Sequence, residues 1–307
     1  MTANRPLFAA MLALMASAIL SLADNFVGAV KETAGLWQFQ LVKAMIALSF
    51  LYSAAVFVGL SCRPQNWGWL ILRSVLIAVG LLTYFAALGV LPVAQAGAGL
   101  YSAPIWIMLF SVLFLGKRIG KRRVVAMIAG FVGVLMLLQP DLSNLTVFSA
   151  LPLVAGAFYG TGGLATKQLC GDENPVVLAL GVFATIAAIS IVMLGYLALL
   201  PSALPDPGFH ARGWEPLSQR FLWLTFTQAI GAAFSIAVLA NAYRFAEPDF
   251  VAVCEYSFLI FAAVWALALW GLPTNLAAQG GIAIIILSGA ALFLLDRPAK
   301  PAFSLSS

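Results

Sequence analysis

Charge is what this sequence has least of. Only 9% of its 307 residues are Asp, Glu, Lys or Arg, against roughly a quarter in soluble domains, so the chain has too little polar surface to enclose a water-soluble core. Histidine occurs once, at His210, which removes a histidine proton relay. Cys62, Cys170 and Cys254 are odd in number and lack ligand spacing, so neither a disulfide framework nor a zinc site is indicated. No metal and no cofactor is expected. A GxxxxGK[ST] phosphate loop is missing, as are HExxH and GxSxG. ATP drive would therefore need a partner, and the alternatives from a different class, a membrane-embedded enzyme or a channel-like protein, have no catalytic motif behind them. Acidic residues number 11 against 16 basic ones; in a soluble protein that excess would suggest nucleic acid, but here it follows from topology.

Apolar residues make up 63% of the chain, and the mean hydropathy is +1.02. This reads as an all-α integral membrane protein. The stretch from Val93 to Leu115 has 23 residues without a charge, followed by Lys117, Arg118, Lys121, Arg122 and Arg123 within eight positions. A bilayer core needs about 20 apolar helical residues, and basic loops of this kind stay on the cytoplasmic side.

Ten spans are expected: 7–30, 37–60, 67–88, 93–115, 124–139, 147–166, 176–200, 221–243, 250–271 and 276–295. The first has the basic start and apolar run of a signal peptide but no A-x-A cleavage pattern, so it reads as a span. Ten spans put twelve Lys and Arg on the inner side, against Lys31, Arg212 and Arg220 outside and Lys43 within the membrane. That bias sets both termini in the cytoplasm. The location expected is a bacterial inner (plasma) membrane, with 297–307 a disordered tail.

The two halves echo each other. At a constant offset of 155, Tyr101 aligns with Tyr256, Ser102 with Ser257 and Gly116 with Gly271. Residues 1–140 and 147–296 therefore read as five-span repeats. An odd number of spans turns the second upside down, and inverted repeats with a site at their interface are a transporter signature.

The passages AALGVLPVAQAGAGLYSAPIW, LFSVLFLGKRIGKRR, AMIAGFVGVLMLLQP and the weaker copy IAIIILSGAALFLLDRP resemble the drug/metabolite transporter superfamily, specifically its EamA-type bacterial carriers. The resemblance covers essentially the whole chain and implies secondary transport of a small metabolite. Lys117 departs from the pattern, since members often carry Glu there, and Leu259 stands where the first half has Pro104. The family moves amino acids, purines, cofactors and other metabolites. Its bias points to export of amino acids or related metabolites, coupled to protons or exchange, with uptake of a nucleoside- or cofactor-like compound as the alternative.

Ionisable residues within spans are the sharpest pointers, each costing roughly 2.5–3.5 kcal/mol at mid-span. Asp24 and Lys43 lie at equal depth from the outer side. They are read either as an ion pair locking two helices or as groups that bind substrate or a proton. Glu255 has no charged counterpart in the other repeat and is read either as a coupling-ion site or as a satisfied partner for inner-side Arg or polar groups. Arg73 is read as snorkelling to inner headgroups, and Tyr243 as part of the interfacial aromatic belt. The candidate binding set is Asp24, Asn25, Lys43, Tyr84, Tyr101, Tyr159, Asn241 and Glu255. The partners expected are a small-molecule substrate and the lipid bilayer, not nucleic acid; nothing in the pattern decides for or against a homodimer.

Overall fold

The computed structural model describes residues 5–88, 90–91, 93–141, 143, 147–200 and 208–296, and every described element is helical. The joins at 144–146 and 201–207 and the tail 297–307, read above as disordered, lie outside the described residues.

In chain order the helices are α1 (Pro6–Asp24), α2 (Val27–Lys31), α3 (Leu36–Phe57), α4 (Trp67–Ala87), α5 (Val93–Leu100), α6 (Ala103–Leu115), α7 (Lys121–Leu138), α8 (Leu151–Leu169), α9 (Pro175–Leu199), α10 (Gln219–Phe245), α11 (Pro248–Cys254), α12 (Ser257–Trp270) and α13 (Leu276–Asp296). Side chains set many of the boundaries. Asn66, Asn174 and Ser218 accept backbone N–H bonds at the starts of α4, α9 and α10, satisfying donors that a helix start leaves over. Gly116 and Gly271 end α6 and α12 in the left-handed conformation, at φ 61° and 63°, where a side chain is strained. They are also 155 residues apart.

Among the described residues, nine segments are long and apolar enough to cross a membrane. The chain is a multi-pass, all-α membrane protein. The remaining long helix, α7, carries Lys121, Arg122 and Arg123 in its first turn and packs along α13.

Three of the expected spans are interrupted rather than continuous. The first bends between α1 and α2 at Asn25–Phe26, the fourth between α5 and α6 at Tyr101–Ser102, and the ninth between α11 and α12 at Glu255–Tyr256. At each, the backbone tightens to i→i+3 bonds: Phe26 N–H to Ala23 O, Ser102 N–H to Gly99 O, and Tyr256 N–H to Val253 O. Pro104 explains the fourth, because it cannot donate to the Leu100 carbonyl. The ninth has no proline.

The tightest helix pairs are α7 with α13, α4 with α8, α1 with α10 and α3 with α9. Each joins a helix of the first half to one of the second. Small residues permit the approach: a Cβ on Gly80 would stand 2.7 Å from Tyr159 N, and one on Gly160 would stand 2.8 Å from Ala103 O.

The two faces are closed differently. On the basic face, Arg123 holds Asp249 through Nε to Oδ2 and Nη2 to Oδ1, both 2.6 Å, and Lys117 meets Glu247 at 2.6 Å. On the opposite face, residues 208–218 lie over the start of α3. Trp37 Nε1 donates to His210 O at 2.8 Å, Gln38 exchanges two 2.8 Å bonds with the Glu215 backbone, and Phe209 is buried.

The two basic-face pairs should differ in worth. Side-chain exposure is 19% and 9% for Arg123–Asp249 but 35% and 37% for Lys117–Glu247. Breaking a buried pair costs about 3–5 kcal/mol, an exposed one about 0–1. Asp249→Asn is expected to lower the melting temperature in detergent clearly and Glu247→Gln hardly at all; equal effects would contradict this ranking.

Candidate functional site

The three interruptions meet on one cavity of about 120 Å³ in the middle of the bundle. At the 10–15 Å³ that a water centre requires, that is room for on the order of eight waters. Asp24 lines it from the α1–α2 bend, Leu100 and Tyr101 from the α5–α6 bend, and Glu255 from the α11–α12 bend. Lys43 of α3, Arg73 and Tyr84 of α4, Tyr159 of α8, and Gln228 and Tyr243 of α10 add further polar groups, with the hydroxyls of Ser17 and Ser235. Most of the remaining wall is apolar or aromatic, including Ile77, Leu81, Phe85 and Phe258. Interrupted helices matter at this depth because bends release carbonyls that only a cavity or the protein interior can satisfy.

Glu255 is held from two sides. Tyr159 donates its hydroxyl to Oε2 at 2.6 Å and Tyr243 donates to Oε1 at 2.5 Å. Asp24 accepts from Gln228 Nε2 at 2.7 Å on Oδ1. Tyr101 and Tyr256, equivalent in the 155-residue offset, touch edge to face with ring centroids 6.1 Å apart.

Six of the eight residues picked from the sequence line this cavity: Asp24, Lys43, Tyr84, Tyr101, Tyr159 and Glu255. Two do not. Asn25 turns back to donate to Ser21 O at 2.8 Å, which fixes the α1 end, and Asn241 Oδ1 accepts from Arg244 Nη1 at 3.3 Å near the basic face.

Three further readings are corrected. Arg73 does not snorkel: it is 2% exposed and bonds inside the protein, because it shares the face of α4 that carries Ile77, Leu81 and Tyr84. Tyr243 is no belt residue: it is 4% exposed, and its hydroxyl is committed to Glu255. Asp24 and Lys43 are near enough to attract each other but make no direct salt bridge. Lys43 Nζ lies over the rings of Phe39 and Phe85, 5.0 and 4.7 Å from their centroids, an arrangement that cation–π attraction favours. Gln228 was missed. Its signal is an amide deep in an apolar span, the same kind of signal that placed Asn25 and Asn241 in the candidate set.

The EamA-like transporter family matches residues 7–139, the helices that carry Asp24, Lys43, Arg73, Tyr84 and Tyr101. Known relatives extend over both halves. A riboflavin transporter of Vibrio cholerae is 28% identical over 254 residues, 81% of this chain and 79% of its own. The pseudopaline exporter CntI of Pseudomonas aeruginosa is 24% identical over 278 residues, 90% and 93%.

This chain is a small-molecule transporter whose first half matches the EamA-like transporter family. An S-adenosylmethionine uptake transporter of Rickettsia bellii is a further relative, 23% identical over 75% of this chain and 73% of the relative. A solved crystal structure superposes on this chain with a TM-score of 0.72 at 18% identity, covering 94% of this chain and 96% of that one. That likeness speaks to the fold alone. The protein is a small-molecule transporter rather than an enzyme, and its cavity is where the structure gathers polar groups within the membrane.

Proposed function

We propose that this protein is a secondary carrier working by alternating access. Residues 1–140 and 147–296 act as inverted repeats that rock about the cavity, with the basic face in the cytoplasm of a bacterial cell. The observation that carries the reading is the convergence of three helix interruptions, two carboxylates and two cations on one apolar, tyrosine-lined cavity. Aromatic walls with a few fixed polar groups suit an amphipathic solute with a flat ring. A nucleoside- or cofactor-like compound fits that description, and relatives named for riboflavin and S-adenosylmethionine support it.

Export of an amino acid or related metabolite is the second reading. The pseudopaline exporter, a relative over 90% of the chain, favours outward transport. Both readings use the same cavity, and Asp24 and Glu255 supply the coupling-ion site in either.

Thermal unfolding of the purified protein against riboflavin, S-adenosylmethionine and the amino acids separates them. A ligand at about 100 times its dissociation constant adds roughly 2.7 kcal/mol of stability, and Asp24→Asn is expected to abolish that gain. Stabilisation by amino acids alone selects the second reading. A ligand shift that persists in Asp24→Asn, Lys43→Met and Glu255→Gln would remove the cavity as its site.

A further inference from the structure

Both carboxylates of the cavity are held by neutral donors, and neither of its cations is held by a carboxylate. Gln228 occupies Asp24, and Tyr159 with Tyr243 occupies Glu255. Lys43 rests on two phenylalanine rings. Arg73 donates Nε to Thr166 Oγ1 at 2.8 Å and Nη1 to the Leu178 carbonyl at 2.7 Å. Thr166 in turn donates to Gly162 O at 2.8 Å, so its hydroxyl lone pair is fixed toward the guanidinium.

These bonds orient Arg73 without neutralising it. A guanidinium has five N–H donors, and two are used here. Among the described residues no carboxylate lies within ion-pair distance of it. At 2% exposure it is also out of reach of lipid headgroups. Burying such a charge is costly unless something opposite in sign completes it, and the side chain lines the cavity. What the protein does not supply, the cargo can.

We infer that Arg73 is the anchor for an oxyanion of the transported compound, a carboxylate or phosphate, whose ring system lies along the aromatic wall. The planar fork suits such a group, which takes two parallel N–H bonds. The inference rests on the carrier reading above and narrows it: the substrate is an amphipathic solute carrying at least one oxyanion. Positioned donors at one end and tyrosine faces along the wall then define which way round it sits.

The test uses matched probes, 2-naphthoate and its neutral amide 2-naphthamide, titrated by thermal unfolding against the wild type, Arg73→Met and Arg73→Lys in detergent. In the wild type the acid should bind at least about tenfold more tightly than the amide. Arg73→Met should weaken the acid about ten- to a hundredfold, the worth of a hydrogen bond to a charged group, and leave the amide nearly unchanged. Arg73→Lys keeps the charge but loses the fork and should fall between.

Equal behaviour of acid and amide in the wild type, including no binding of either, overturns the inference, as does acid binding that survives in Arg73→Met. The wild-type comparison needs no variant to fold. Counterflow in liposomes tests the carrier reading separately: flux without acid preference sinks only the role of Arg73, and acid preference without flux sinks only the carrier.

Discussion

Glu255→Gln should cut transport by at least about tenfold while leaving membrane insertion and the melting temperature close to wild type. The amide keeps the volume of the carboxylate, accepts one tyrosine hydroxyl on its oxygen and donates to the other, whose proton can rotate away. What it cannot do is gain and lose a proton. Glu255→Ala should behave differently, because it leaves the buried hydroxyls of Tyr159 and Tyr243 without an acceptor, at about 1–3 kcal/mol each. Liposome counterflow and melting temperature, measured on the same preparations, separate the two variants. Wild-type flux in Glu255→Gln would exclude the carboxylate from coupling. An equal loss of stability in both variants would mean that Glu255 is there to hold two helices together.

The second large effect is expected far from the cavity. Gly133 and Gly281 touch backbone to backbone where α7 crosses α13: a Cβ on Gly133 would lie 2.8 Å from Gly281 O, and one on Gly281 would lie 2.5 Å from Gly133 O. In a bilayer, helix association depends on such close approach because lipid is as apolar as leucine. Replacing either glycine by Leu should force the pair apart and cost more than the 1–3 kcal/mol typical of overpacking, seen as loss of monodisperse protein on size-exclusion chromatography. Gly195→Ala is the matched control. A Cβ there meets nothing within 4 Å, and alanine in a helix interior is worth up to about 1 kcal/mol over glycine. If Gly281→Leu purified and melted like Gly195→Ala, the α7–α13 contact would not be a determinant of the fold.

The helices were legible because the apolar runs are long and the cations mark their ends. The α5–α6 bend was legible too, since Pro104 leaves the Leu100 carbonyl without its helical donor. Its counterpart at Glu255–Tyr256 was not, because Leu259 stands where the proline would be; only the 155-residue offset hinted at it. Rarity in a membrane was a sound guide to Asp24, Lys43 and Glu255, all of which line the cavity. Depth alone misled at Arg73, where counting residues from the interface ignored helical periodicity: Arg73, Ile77, Leu81 and Tyr84 recur on one face. The partners of these groups, Gln228 for Asp24 and two tyrosines for Glu255, join residues 12 to 204 positions apart and follow from tertiary packing.

The unlike closures of the two faces carry a kinetic consequence. Parting the basic face means separating Arg123 from Asp249 and Lys117 from Glu247, whereas the opposite face is held mainly by backbone-directed hydrogen bonds from Trp37 and Gln38 and by buried Phe209, its Arg220–Glu32 ion pair being 62% and 67% exposed and worth about 0–1 kcal/mol. Salt screens the half-exposed Lys117–Glu247 pair, with a Debye length of about 10 Å at 0.1 M falling to about 3 Å at 1 M, acts much less on the buried Arg123–Asp249 pair, and leaves hydrogen bonds and buried apolar contacts nearly untouched. Ionic strength on the basic side should therefore act as a throttle on one half of the cycle. Raising it there should speed whichever step opens that face, and salt on the other side of the same liposome should change little.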